Sequence, residues 1–466
     1  MHSAVASRVA IYRRTGVWLL VALIAMVAAA TAAEDAVILN PNRYDVFVGR
    51  YSVFAKFQSR LHDVLAACGK PASAIVPPGK QPSGKIGNET GEGVRQALQC
   101  ESLRRVPKNS PATEGIITES VWRAVMGDEP LPTLKDRAEA LVLSFEATDF
   151  GAPPEWNFCQ DNILSVPGQS NRWASDFVCY NASDPCAFLT WGPRGATAGL
   201  GREIQLILWM IWKEDPALIE RAFGAEAGNL QRFFRLKGGG NKGCYSETPL
   251  KRFLCAIWMD PARSSRWENA LVELGRAPLA RNAYARLYAL REYDGGKLRA
   301  FFELWQKLGL TPSEIDYAFF MDRITHLGGP PDEGGAAAAE ALTACMHDEQ
   351  SAISVNGAAR RCLARLQPHQ TQPDYRLGRD VAYYLEAYGQ GALSETEIRA
   401  WANYVPLSAI HTLGLSDEKP AQREEAASLS TLGSDLAQPD ASDLAPIDLS
   451  NCPATVVSPE PRKPGP

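Results

Sequence analysis

The sequence predicts a mainly α fold, α+β in detail: a helical domain with a small β-hairpin region, a C-terminal helical unit and a disordered tail. Three observations carry this expectation. Apolar residues recur at helical spacing through most of the chain. Between Thr148 and Thr190 the texture changes to Pro, Asn, Ser, Asp and aromatic residues with three cysteines, as in loops and short hairpins. Ser416 to Pro466 holds eight prolines, nine acids, four bases and almost no aromatic content, too little apolar surface to order itself.

Composition sets the outer limits. A chain of 466 residues that is 45% hydrophobic and 22% charged is neither disordered, collagen-like nor a polytopic membrane protein. Beyond the first 33 residues it carries 45 bases against 53 acids, and the tail accounts for most of the excess. The body is therefore near neutral, which argues against nucleic acid as a partner. Residues 1–33 read as a signal peptide. Arg8, Arg13 and Arg14 precede an uncharged run, and Ala30-Thr31-Ala32 supplies the small residues of a cleavage site. Left uncleaved, the run would be a membrane anchor; either way the body lies outside the cytoplasm. The Ala- and Arg-rich composition points to a bacterium, hence to a periplasmic or secreted protein. The ten cysteines are scattered without a Cys-x-x-Cys pair, so disulfides are expected rather than zinc. Cys68 with Cys100, Cys244 with Cys255 and Cys345 with Cys362 each close a local loop. Two of Cys159, Cys179 and Cys186 form another pair, leaving one for Cys452.

Taken in order, residues 34–129 form an N-terminal helical region. Tyr51 to Ala67 is a helix with Val53, Phe54, Phe57, Leu61, Val64 and Leu65 on one face. Gly69 to Gly87 is an exposed loop, and Val94 to Leu103 a short helix. Thr118 caps a helix that buries Val121, Trp122 and Val125; its Gly-Ile-Ile-Thr-x-x-x-Trp-x-x-x-Met-Gly pattern resembles the last helix of small peptidoglycan-binding repeats. Residues 130–327 form the central domain. It opens with the helix Leu134–Glu146, passes through the loop and hairpin region, and resumes as a buried helix from Leu200 to Trp212. Several helices follow from Ala217 to Leu308, their arginines on solvated faces or along a groove for an anionic polymer. Gly328 to Gly335 marks a boundary. Residues 336–415 form the C-terminal helical unit, and 416–466 the tail.

Two segments could carry chemistry. Glu146 ends an apolar helix where a polar, irregular segment begins. Desolvation at such a junction raises a carboxyl pKa and suits a general acid. A negative charge there also opposes the helix dipole, a cost that a surface role would not justify. The second segment runs from Phe188 to Gln205. A strand-like piece enters a turn with Gly192, Gly195, Gly199 and Gly201, then a buried helix. It lacks the Gly-Lys-Ser/Thr of a P-loop and is not a GxGxxG dinucleotide turn, so close approach to a sugar or to another helix is the natural reading.

Together these pieces resemble the lysozyme-like superfamily, and within it bacterial chitosanases and lytic transglycosylases. There a helix delivers a catalytic glutamate at its C-terminal end, a β-hairpin region follows, and a glycine-containing turn opens a central buried helix. The resemblance covers residues 130 to 215. It implies that Glu146 is the acid, and that Asp184 and Thr190 stand where a chitosanase aspartate and threonine activate water. Gly195 to Gln205 is similar to the transglycosylase Gly-Ala-x-Gly-Leu-x-Gln pattern, with extra residues between its parts. Trp191, Gly195, Gln205 and Glu203 are the expected substrate-binding residues. Glycoside hydrolysis needs a second carboxyl. Asp184 is the first candidate and Glu203 the next, ahead of Asp149 and Asp161; Trp156, Trp173, Trp191 and Tyr180 offer faces for sugar stacking. No metal or organic cofactor is needed. The expected function is an exported glycosidase cleaving peptidoglycan or chitosan. The alternative is a non-catalytic periplasmic glycan-binding or scaffold protein with a degenerate lysozyme-like fold.

Overall fold

The computed structural model describes residues 35–43, 45–73, 75–76, 80, 82–146, 148–156, 187–199, 201–236, 249–349, 352–368, 373–388, 392–404, 409–423 and 425–432. The protein is mainly α, as expected. In the first third, β1 (Val37–Leu39) and β2 (Val46–Phe47) pair antiparallel with β4 (Ile117–Thr118) and β3 (Lys85–Ile86) respectively. Among them lie α1 (Val53–Ala67), α2 (Asn88–Ala97) and α3 (Glu119–Met126). Ser52 starts α1 by accepting the Ala55 amide at 3.1 Å, and Phe54, Phe57, Leu61 and Leu65 form its buried stripe. Thr118 caps α3 as expected, and Trp122 stacks on Phe57 with ring centroids 5.1 Å apart. The second helix starts earlier than its sequence suggests. Its glycines are there for close packing: a Cβ on Gly93 would come within 2.2 Å of Ile75.

Next, α4 (Leu134–Glu146) leads into an antiparallel sheet of β5 (Glu155–Trp156), β6 (Ala187–Trp191) and β7 (Ala196–Gly199), with β6 in the middle. From that sheet the chain enters α5 (Glu203–Glu214). There follow α6 (Pro216–Phe223), α7 (Ala227–Arg235), α8 (Pro249–Met259), α9 (Pro261–Arg276) and α10 (Pro278–Tyr288). Proline opens most of these helices, and Asp215 and Asp260 cap two of them, so the chain turns sharply between short rods. The remainder comprises α11 (Asp294–Lys307), α12 (Glu314–Leu327), α13 (Ala336–Asp348), α14 (Val355–Leu366), α15 (Pro373–Tyr384), α16 (Glu395–Tyr404) and α17 (Ala409–Thr412).

These elements bury two separate hydrophobic cores. One joins α1–α4 to α11–α16 and to Leu413, Leu415 and Ala421; the other holds β6, β7 and α5–α10. The boundaries expected at 129/130 and between 327 and 336 therefore fall inside the first core. Charged side chains that look solvated in the sequence explain the difference. Asp316 and Arg323 of α12 pair with Arg360 of α14 (2.7 Å) and Asp380 of α15 (2.9 Å), and all four are buried. Disorder from Ser416 onward is also not what residues 416–423 and 425–432 show. Asp417 accepts from Arg360 (2.7 Å), the Ala421 amide donates to Pro312 (2.8 Å), and the Arg291 amide donates to Ala427 (2.8 Å). Residues 433–466 and the expected signal peptide lie outside the described residues. The Cys68–Cys100 and Cys345–Cys362 disulfides form as expected, each with Cα atoms 5.8 Å apart. Cys159, Cys179, Cys186, Cys244 and Cys452 are outside the described residues, and Cys255 is buried. Among the described residues no helix is long and apolar enough to cross a membrane.

Candidate functional site

Where the two cores meet, a cleft of about 350 Å³ opens. Its walls are Arg194 and Gly195 from the β6–β7 turn, Thr197 of β7, Glu203 of α5, Tyr288 of α10, Asp294 and Lys297 of α11, and His326 of α12. The turn is tight because Gly192 and Gly195 both adopt positive φ (81° and 62°), as only glycine does readily.

Glu203 sits half-buried in the first turn of α5. Its Oε2 accepts the Thr197 hydroxyl at 2.6 Å and the Thr197 amide at 3.2 Å. The carboxyl folds back over Gly201, where a Cβ would come within 2.0 Å of Oε1. Arg202, between them, holds a left-handed conformation (φ 57°) and donates to the Phe234 carbonyl at 2.7 Å. Such a backbone costs a non-glycine residue about 1–3 kcal/mol and is typical of functional turns. Burial pushes the Glu203 pKa above the ordinary glutamate value, with Thr197 and Lys297 offsetting part of the effect.

Opposite chemistry surrounds Asp294. Arg194 donates to it at 2.9 Å and to Glu139 of α4 at 2.5 Å, and Lys297 lies 3.4 Å away. That arrangement fixes a carboxylate in the cleft. Burial, helped by Tyr284, Glu203 and Asp294, drives the Tyr288 phenol pKa well up, so it remains a neutral donor.

Glu146 contradicts the expectation placed on it. Its Oε1 lies 2.6 Å from both His326 Nε2 and Arg379 Nη1, and Asp322 holds the other edge of the same guanidinium. Burial pushes its pKa up, but His326 and Arg379 outweigh that and hold it near 2. At neutral pH Glu146 is thus an anion and not a proton donor. The end of α4 points at α12 and α15 instead of into the cleft, and cations there compensate the helix dipole.

The other expected residues divide. Glu203 and Gly195 line the cleft. Thr190 is half-buried on β6, paired with Thr197 across the ladder. Trp191 is in the second core, edge-on to Phe150 and Tyr284, and cannot bind substrate there. Gln205 is fully buried and donates to the Phe233 and Leu236 carbonyls, both at 2.7 Å, so its amide ties α5 to the end of α7 and does not line the cleft. Asp149 accepts the Arg50 and Gly151 amides and lines a different cavity; Trp156 donates to Glu268. Asp184, Asp161, Trp173 and Tyr180 lie outside the described residues. Sequence reasoning missed Arg194, Thr197, Tyr288, Asp294, Lys297 and His326. Their spread along the chain leaves no motif, and only the positions of Arg194 and Thr197 in the glycine-rich turn could have flagged them.

Among the described residues, Cys345, Glu349 and Cys362 bring three ligand-type atoms together. Both sulfurs are in the disulfide and Glu349 is bound to Arg361 and Arg365, so the cluster is structural. No family model matches the chain, and no curated protein or solved structure matches it.

Proposed function

We propose that this protein is an exported glycoside hydrolase acting on an amino-sugar polymer, peptidoglycan or chitosan, with Glu203 as general acid. One observation carries the reading: a carboxyl whose pKa burial raises, Glu203, lines an open polar cleft together with a second carboxyl, Asp294, held by Arg194. Glycoside cleavage uses a pair of carboxyls, one to protonate the leaving oxygen and one to assist water or stabilise the developing positive charge. Glu203 protonates the departing glycosidic oxygen as its bond to the anomeric carbon breaks. Asp294 stabilises the positive charge that develops and takes a proton from the water that adds. The order helix, three-stranded sheet, helix across α4, β5–β7 and α5 supports a lysozyme-like lineage. The two disulfides fit an oxidising compartment.

The test is zymography and reducing-end assay of the purified protein on peptidoglycan and chitosan. Glu203→Gln is expected to lower cleavage about 10²-fold or more while leaving the fold intact. Full activity in that variant would reject Glu203 as the acid. No cleavage of either polymer by the wild type would favour the non-catalytic, glycan-binding reading.

A further inference from the structure

A second cavity, of about 230 Å³, lies beyond Arg194, which with Tyr288 lines both spaces. It is smaller than the roughly 300–1,000 Å³ of drug-sized sites and suits a single ring. Leu143, Phe150 and Tyr284 contribute apolar wall. Arg281 lines it as well, its guanidinium 5.1 Å above the Tyr51 ring. Nη1 of Arg281 donates to the Gly275 and Arg276 carbonyls at 3.0 and 2.7 Å, closing the end of α9. Among the described residues its Nε and Nη2 have no hydrogen-bond partner, and no carboxylate lies within ion-pair distance of it.

The acids of this cavity are already satisfied. Glu139 is paired with Arg194, Asp149 holds two backbone amides, and Asp136 accepts from the Thr133 amide and hydroxyl, both at 2.7 Å. Among the described residues, Arg281 is therefore the guanidinium of this cavity that no carboxylate pairs. Burial pulls its pKa down with only Tyr51 opposing, whereas Glu139 and Asp294 push that of Arg194 up. A half-buried guanidinium with free N–H groups and an apolar wall is a receptor for a carboxylate on a compact body.

We infer that this cavity binds a carboxylate-bearing sugar ring, the carboxylate on Arg281 and the ring against the apolar wall. Binding itself stands independently of catalysis. Its consequence for substrate choice rests on the hydrolase reading: because Arg194 and Tyr288 border both spaces, a polymer unit here would adjoin one beside Glu203. The preferred polymer is then an acidic amino-sugar chain, and chitosan, which is cationic, is disfavoured.

Titration calorimetry with N-acetylmuramic acid, its methyl ester and N-acetylglucosamine tests this, since the three differ only in the lactyl group and its charge. The acid is expected to bind at least about tenfold more tightly than the other two. Arg281→Gln should abolish the preference and Arg281→Lys retain part of it. Equal affinities in the wild type, no binding of the acid at millimolar concentration, or a preference that survives Arg281→Gln would overturn the inference. The ester comparison needs no variant, so a misfolded Arg281→Gln protein does not rescue it. Acid preference without polymer cleavage would sink the hydrolase reading alone. Cleavage without acid preference would sink only this inference.

Discussion

Gly201 is the position where the placement of the acid is most easily disturbed. Its missing side chain leaves the space that the Glu203 carboxyl occupies, so Gly201→Ala must displace that carboxyl. The expected result is a loss of activity of at least about tenfold with a melting temperature close to wild type. Equal activity would show that Glu203 works from elsewhere. Glu146 behaves in the opposite sense. Glu146→Gln removes an anion from between His326 and Arg379, and is expected to cost about 1–3 kcal/mol in chemical denaturation. An unchanged unfolding midpoint would contradict that structural role. Both glutamates are visible in the sequence as candidates, yet their roles are not. What separates them is the charge of groups far along the chain: cations at 326 and 379 for Glu146, mainly burial for Glu203.

Among the helices, α12 shows most clearly why charged residues mislead. Asp316, Asp322 and Arg323 are buried, each joined to a partner on α14 or α15 more than forty positions away. In the sequence these residues look solvated, and the stretch from Gly328 to Gly335 looks like the edge of a domain. Local signals fared better. The stripe of α1, the Thr118 cap and the Cys68–Cys100 and Cys345–Cys362 spacings depend on near neighbours and were legible. The buried network makes a pH prediction. Glu146 and Glu397, the latter held by Arg361 and Ser394, both have pKa values near 2 in the folded state. A depressed carboxyl pKa stabilises the fold above the unfolded value, about 4.3 for glutamate. That stabilisation, up to about 3 kcal/mol for each group, is lost as pH falls from there toward 2. Thermal melts should show a steep fall in Tm across that window, shallower in Glu397→Gln. A Tm that does not change between pH 4.5 and 2 would contradict the network.

Over the whole molecule, the described residues join the two cores through an ionic junction at Arg194. Arg194, on the turn of the second core, reaches Glu139 and Asp294 on helices of the first. Removing the guanidinium leaves half-buried Glu139 without its cation and buried Asp294 with Lys297 alone, a loss of about 1–3 kcal/mol. Arg194→Gln is therefore expected to split calorimetric unfolding into two transitions, one for each core. A single, unshifted transition would place the junction elsewhere. Sequence patterning could not reveal this division, because the first core is assembled from both ends of the chain and the second lies between them. At this scale the mainly helical texture and the position of the small sheet were legible in the sequence, and the pairing of distant helices was not.

That burial raises the Glu203 pKa while His326 and Arg379 hold that of Glu146 low can be tested by carboxyl-carbon NMR. Glutamate-labelled protein would be titrated beside Glu203→Gln and Glu146→Gln, so that each signal is assigned by its absence. The Glu203 signal is expected to titrate above the ordinary glutamate value of about 4.3 and that of Glu146 near 2. A Glu203 midpoint at or below the ordinary value, with Glu146 above it, would rule out Glu203 as the acid and return that role to the end of α4.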